Sequence, residues 1–249
     1  MSDKYGKSLQ ELLIHKKSFF DSNDDLLKSL TSINDIYIKQ PRRNNCKNCN
    51  FKLQGVSFIK QNVKYIICQK CEHLNGFNED TDEFCSALYT EDDGQKYADN
   101  YSVQNTEEYT KRVSDIYLPK AEYLKKSLST IEKNTELLRY VDFGAGSGYF
   151  LSAMREVGFI NSNGYEVSKS QANIGNLMLS DKLINIHSKE DTLNIINSLE
   201  TDVISMIGVL EHLQNPREVL SALKKNKNIR YLFLSVPTFS PSVFLEAVF

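Results

Sequence analysis

Residues 141–151, VDFGAGSGYFL, constrain this chain more than any other stretch, because an apolar start runs straight into three glycines and then into apolar residues at helical spacing. Such a run reads as a strand, a tight turn and the start of a helix, which together call for a sheet covered by helices. After Lys133 the same alternation repeats. Strands are predicted at 137–143, 163–167, 183–187, 202–209 and 229–236. Helices are predicted at 149–157, 169–179 and 192–199, and from Pro216 onward with Asn215 as cap. This is an α/β pattern with a Rossmann-like core.

Gly144, Gly146 and Gly148 are spaced GxGxG. Glycines in such a turn admit unusual backbone angles and let a ligand approach the main chain. The dinucleotide fingerprint GxGxxG would need glycine at 149, where Tyr149 stands. Asp142, at the strand end before the turn, suits a ligand with a cationic amino-acid end better than a pyrophosphate. Glu166 ends the second strand in GYEVS, the position from which a carboxylate reaches ribose hydroxyls. The fourth strand runs into GVLEHLQNP, which puts Glu211 and His212 at the rim of the same crevice. An imidazole there could act as a base or could simply pack in the loop.

The runs VDFGAGSG, GYEVS and DVISMIGVLEHLQNP resemble the successive motifs of class I S-adenosylmethionine-dependent methyltransferases, over roughly 137–239. The resemblance implies that Asp142, Gly144, Ala145, Gly146 and Gly148 surround the methionine part of the cofactor and that Glu166 binds its ribose. It also implies that Met206 and Ile207 line the pocket and that Tyr97 and Tyr101 lie over the cofactor. The segment NIHSKED departs from the family pattern: a plain acidic residue for adenine is missing, and Ser188 and Glu190 stand near its place. The family sheet has seven strands, whereas this sequence reaches SVFLEAVF just after the fifth, so the core is expected to lack its last strands.

Cys46 and Cys49 form one CxxC pair and Cys68 and Cys71 another. Each pair brings two thiolates to one metal from a tight turn, and two such turns complete a tetrahedral Zn2+ site. Strand-forming residues lie between the pairs, Val56, Phe58 and Ile59 and then Val63, Tyr65, Ile66 and Ile67, so a hairpin of the zinc-ribbon kind is expected. Four thiolates leave no position for a substrate, which makes the metal structural. His73 is read as a bystander and Cys85 as a small buried residue.

The chain is thus expected to divide into a helical arm (1–40), a zinc-binding module (41–77), a connector and helix (78–133) and a cofactor-binding core (134–249). In the arm, Leu9, Leu12, Leu13 and Phe19, then Leu26, Leu27 and Leu30, suggest two short helices. Pro119 is expected to break a helix over 106–128. The first residues, MSDKYGKSLQ, lack the apolar core of a signal peptide, and no window is apolar enough to span a bilayer. A cytoplasmic protein is expected, where thiols stay reduced.

A module ahead of such a core resembles bacterial methyltransferases acting on sugars of natural products or cell-surface polysaccharides, which implies a sugar-type small-molecule acceptor. Charge bears on the alternative of an RNA methyltransferase. Every charged residue in 41–71 is basic, yet every one in 79–93 is acidic, and the net charge is -2. That balance weighs against a nucleic-acid partner. A third reading is a truncated protein that only binds cofactor or mediates assembly. Oligomeric state is left open.

Overall fold

The computed structural model describes residues 19–89 and 106–237. The expected roles of Leu9, Leu12, Leu13, Tyr97 and Tyr101 lie outside the described residues, as does everything from Thr238 on. The described chain divides into two compact units, one of 19–87 with 213–217 and the other of 106–212 with 218–236.

In the first unit, helix α1 (Phe19–Tyr37) precedes a three-stranded antiparallel sheet of β1 (Ser57–Lys60), β2 (Val63–Ile67) and β3 (Leu74–Gly76), followed by helix α2 (Asp82–Tyr89). Among the described residues of the arm, this helix runs through the Leu26–Leu30 region, where one of the two short helices is expected, and is longer than that expectation. The hairpin forms as expected, with Lys60 opposite Val63. Its two-residue turn has positive φ at both Gln61 and Asn62, the twist that matches flanking strands. The strand β3 was not foreseen, since three residues are too few to show alternation. The α1 terminus is anchored just beyond it: the Tyr37 hydroxyl donates to the Asn78 carbonyl at 2.6 Å and its ring lies 5.3 Å from that of Phe84 on α2. Gly76 passes beneath that hydroxyl, where any Cβ would clash at 2.0 Å.

The charge contrast of the sequence is partly resolved here. Arg43 is buried and pairs with Glu79 and Asp80, each at 2.9 Å, and Lys47 reaches Asp80 at 2.9 Å. Basic and acidic runs thus neutralise each other in part. Arg42 and Lys64 both lie over the Phe77 ring, 4.9 and 4.5 Å from its centre.

The second unit opens with α3 (Thr106–Arg112), a π-helical turn over Val113–Tyr117 and α4 (Leu118–Ser129). The break expected at Pro119 takes this form. Proline has no N–H and crowds the carbonyl four residues back, and the turn before it widens so that Leu118 N–H bonds to the Val113 carbonyl. A 3-10 turn (Thr135–Leu137) delays the first strand, β4, to Tyr140–Phe143. Then come α5 (Tyr149–Glu156), β5 (Ser162–Glu166), α6 (Lys169–Met178), β6 (Ile184–Ile186), α7 (Thr192–Ser198), β7 (Val203–Ile207), α8 (Pro216–Lys225) and β8 (Tyr231–Ser235).

The five strands are parallel in the order β6-β5-β4-β7-β8. The chain therefore starts in the middle, builds to one side and crosses to the other, which sets a switch point between β4 and β7. A ligand crevice is expected at the carboxyl ends of those two strands. Burial fits this layering. β4 is buried throughout, and Tyr140, Phe150, Leu151, Met154 and Phe159 form the core beneath α5. Five strands are present in this sheet among the described residues, and Leu232 and Leu234 on β8 are exposed. No helix among the described residues is long and apolar enough to cross a membrane.

Candidate functional site

The glycine-rich turn leaves β4 and enters α5 through three residues of positive φ, Gly144 at 75°, Gly146 at 54° and Gly148 at 75°. What matters is where its N–H groups go. Those of Gly144 and Ala145 donate to the Tyr165 carbonyl at 2.8 and 3.0 Å. That of Gly146 donates to Glu166 Oε2 at 2.8 Å. All three are engaged by β5, so the turn offers few donors to an anion. It is lined instead by carboxylates.

Asp142 and Glu166 are both buried, at the ends of β4 and β5. Burial pushes the Asp142 carboxyl from its ordinary 3.8 up to about 7; the Ser205 hydroxyl, donating to Oδ1 at 2.6 Å, pulls against that rise, and nearby Glu166 adds to it. Burial likewise raises Glu166 above the usual range, although Ser168 N–H donates to Oε1 at 2.7 Å and Gly146 N–H to Oε2. Two carboxylates buried side by side favour a partner that brings positive charge or hydroxyl donors. Asp142 and Glu166, close enough that each disfavours the other's ionisation, form a cradle suited to a cationic, hydroxyl-bearing ligand. The site residues thus fit S-adenosylmethionine, which carries an ammonium, a sulfonium and ribose hydroxyls.

Neighbouring elements hold the cradle in shape. Ser168 caps α6 by accepting from Gln171 N–H at 3.3 Å. From α3, Tyr109 donates to the Ser147 carbonyl at 3.1 Å and stacks on Tyr149 with ring centres 4.7 Å apart. Tyr117 also stacks on Tyr149, at 5.3 Å, and the Arg112 guanidinium lies 5.0 Å from that ring centre. The π-helical turn carries Tyr117 into this stack. Such turns occur often at functional sites.

The other expected residues are distributed around this cradle. Ile207 lies on the Asp142 side of the sheet, two residues beyond Ser205, whereas alternation points the fully buried Met206 to the opposite face. His212 is exposed in a 3-10 turn (Leu210–His212) just past β7, its N–H bonded to the Val209 carbonyl at 2.9 Å. Ser188 donates to Asp191 at 2.8 Å. Beside it His187, which no sequence motif marks, sits against Phe143 and Tyr165 with ring centres 5.3 and 6.1 Å away. Tyr140 and Tyr109 are likewise unmarked by any motif, and Ser205 lies within DVISMIGVLEHLQNP with no role implied for it; a lone serine in the buried strand VISMI is its readable signal.

The four cysteines form a second candidate site. Their sulfurs all lie within 4.8 Å of one another, with Cys46–Cys71 and Cys49–Cys68 each at 3.6 Å. A tetrahedral site with metal–sulfur bonds of about 2.3 Å needs sulfur–sulfur edges of about 3.8 Å, so the thiols fit zinc. Two matching turns build the cluster. Asn50 N–H bonds to the Cys46 carbonyl and Glu72 N–H to the Cys68 carbonyl, both at 2.9 Å, and both Asn50 and Glu72 have positive φ. Asn75 donates to Cys46 Sγ at 3.4 Å, a contact that orients a thiolate. His73 takes no part in the cluster.

A family model described as a methyltransferase domain matches residues 108–245, more than half of the chain. No curated protein matches it. Among solved structures, the chain is similar to the plantazolicin methyltransferase BpumL, crystallised with a pentazolic desmethylPZN analog and SAH. Identity is 19% over 57% of this chain and 52% of that one, with a TM-score of 0.41. It is also similar to SAM-bound CalS10, an amino pentose methyltransferase from Micromonospora echinaspora, at 15% identity over 57% and 59% with a TM-score of 0.43. A third is the magnesium protoporphyrin IX methyltransferase ChlM of Synechocystis, at 12% identity over 58% and 70% with a TM-score of 0.39. This chain spans little more than half of the first two, and likenesses at this level say nothing of its acceptor.

Proposed function

Because this chain belongs to the methyltransferase domain family, matched over residues 108–245, we propose that it moves a methyl group from S-adenosylmethionine to a small-molecule acceptor. The supporting observation is the buried pair Asp142 and Glu166 around a glycine turn whose N–H groups β5 has already engaged. Asp142 is the counter-charge for the amino-acid end of the cofactor, with Gly144, Ala145, Gly146 and Gly148 admitting its close approach. Glu166, held by the N–H groups of Gly146, Ser168 and Val167, keeps acceptor capacity for a ribose hydroxyl. Ile207 lines the pocket and Met206 supports it from behind. The bound cofactor supplies a methyl group already activated on a sulfonium. The protein's task is then to align the acceptor and exclude water. His212, exposed beyond the end of β7, is the base that takes the acceptor's proton.

The acceptor class that the motifs and domain order suggest is a sugar or sugar nucleotide. The alternative of an RNA acceptor draws on the basic module, but Arg43 and Lys47 of that module are held by Glu79 and Asp80. The four cysteines hold Zn2+ as a structural ion, which their edges near 3.6 Å support.

Calorimetric titration of the zinc-loaded full chain with S-adenosylhomocysteine tests the cofactor reading. Saturable binding that is lost in Asp142→Ala is expected, and a well-folded protein that binds nothing would overturn the proposal. A binding-competent chain is then incubated with S-adenosylmethionine and a panel of sugar nucleotides, with methyl gain read by mass spectrometry.

A further inference from the structure

We propose that Ser205 and Tyr140 are positioning residues that hold the Asp142 carboxylate as the counter-charge for the cofactor's ammonium, through a hydrogen-bond chain running from phenol to hydroxyl to carboxylate. The inference rests on the proposed cofactor. The chain has one direction. Ser205 has a single hydroxyl proton and gives it to Asp142 Oδ1 at 2.6 Å, so its oxygen must accept from the Tyr140 hydroxyl, also at 2.6 Å. The register makes this possible: Asp142 faces Ser205 across the β4–β7 pair, and Tyr140 lies two residues earlier on the same face. All three groups are buried. A donor chain that polarises along its length is strongest in such surroundings.

The chemistry needs such a chain. A carboxylate buried in this way tends to take up a proton, and a neutral acid cannot neutralise an ammonium. Burial raises Asp142 to about 7, Ser205 lowers it, and the Glu166 carboxylate on β5 works against ionisation. Asp142 also faces two phenols, Tyr140 on its own strand and Tyr109 on α3. Both phenols are pushed upward by burial and stay protonated, so neither brings a charge. The hydroxyl of Ser205, donating to Oδ1, favours the ionised form.

The test compares wild type, Ser205→Ala and Tyr140→Phe in full-length protein, titrating two ligands across pH. One is S-adenosylhomocysteine. The other is 5′-methylthioadenosine, which shares the nucleoside but has no amino-acid end. With Asp142 half ionised near neutrality, an upward shift of about one pKa unit in Ser205→Ala lowers S-adenosylhomocysteine affinity about fivefold at pH 7 and moves its pH midpoint upward. Tyr140→Phe shifts the midpoint the same way by less. Methylthioadenosine affinity stays unchanged in both. Equal losses for the two ligands would mean that Ser205 merely packs, and an unmoved midpoint would also overturn the inference. Should Ser205→Ala not fold, Tyr140→Phe carries the same comparison, since it removes one oxygen and keeps the ring. Wild type that binds neither ligand would instead sink the cofactor proposal itself.

Discussion

Asp142 is 2% exposed and shares its surroundings with a second buried carboxylate, so its ionisation bears on stability as well as on binding. An acid whose folded-state pKa lies above its ordinary value binds protons more readily when folded. The fold is then favoured at low pH and loses stability as pH rises from the ordinary 3.8 to about 7. Replacing Asp142 by Asn removes this dependence while keeping an acceptor for Ser205. Melting of the ligand-free protein between about pH 5 and about pH 8 is expected to show wild type falling relative to Asp142→Asn by on the order of 2 kcal/mol, several degrees in Tm. Parallel curves would refute the shift. Glu166 has the same sign, which is why the difference between the two proteins is the quantity to read. At this scale the sequence shows which carboxylates matter, because each sits at a predicted strand end beside a glycine. Their partners were hidden: Ser205 lies 63 residues from Asp142, and nothing local marks that contact.

Elements were legible where their patterns repeat over many residues and poorly legible where a side chain defines them. The strand–helix alternation after Lys133 was readable throughout, yet the start of β4 was missed because Thr135–Leu137 coil into a 3-10 turn. The short strand β6 is an instructive case. Its first residue, Ile184, is bonded on both sides by one amide: Asn176 donates to the Ile184 carbonyl at 3.0 Å and accepts from its N–H at 2.8 Å. A side chain from α6 thus stands in for backbone pairing beside a strand of three residues. Asn176→Leu is expected to remove both bonds, costing about 1–3 kcal/mol. Hydrogen exchange is expected to quicken at Ile184 before it does at Val141, on the buried central strand. Equal protection of Ile184 in variant and wild type would show that β6 holds itself.

At the scale of the whole molecule, the two units differ in what holds them. The parallel sheet and its helices bury a continuous apolar core with Tyr140, Phe150, Met154 and Phe159 at its centre. In the cysteine-bearing unit, the three strands are three to five residues long, and Val56 and Ile59 are exposed. So small a sheet has little apolar area to oppose chain entropy, and thiolate ligation of zinc can supply about 10–16 kcal/mol of apparent binding energy. On the proposed zinc site, a chelator is therefore expected to abolish amide protection at Val63, Ile66 and Ile67 while leaving it intact at Tyr140–Phe143. A Cys49→Ser, Cys71→Ser protein is expected to behave like the chelated one without any chelator. The measurement is hydrogen exchange read by mass spectrometry on both segments at once, with zinc content determined in parallel. Protection at Val63–Ile67 that survives complete loss of zinc would mean that the Tyr37 anchor and the ion pairs of Arg43 suffice to fold this unit, and that the cysteines serve some other purpose.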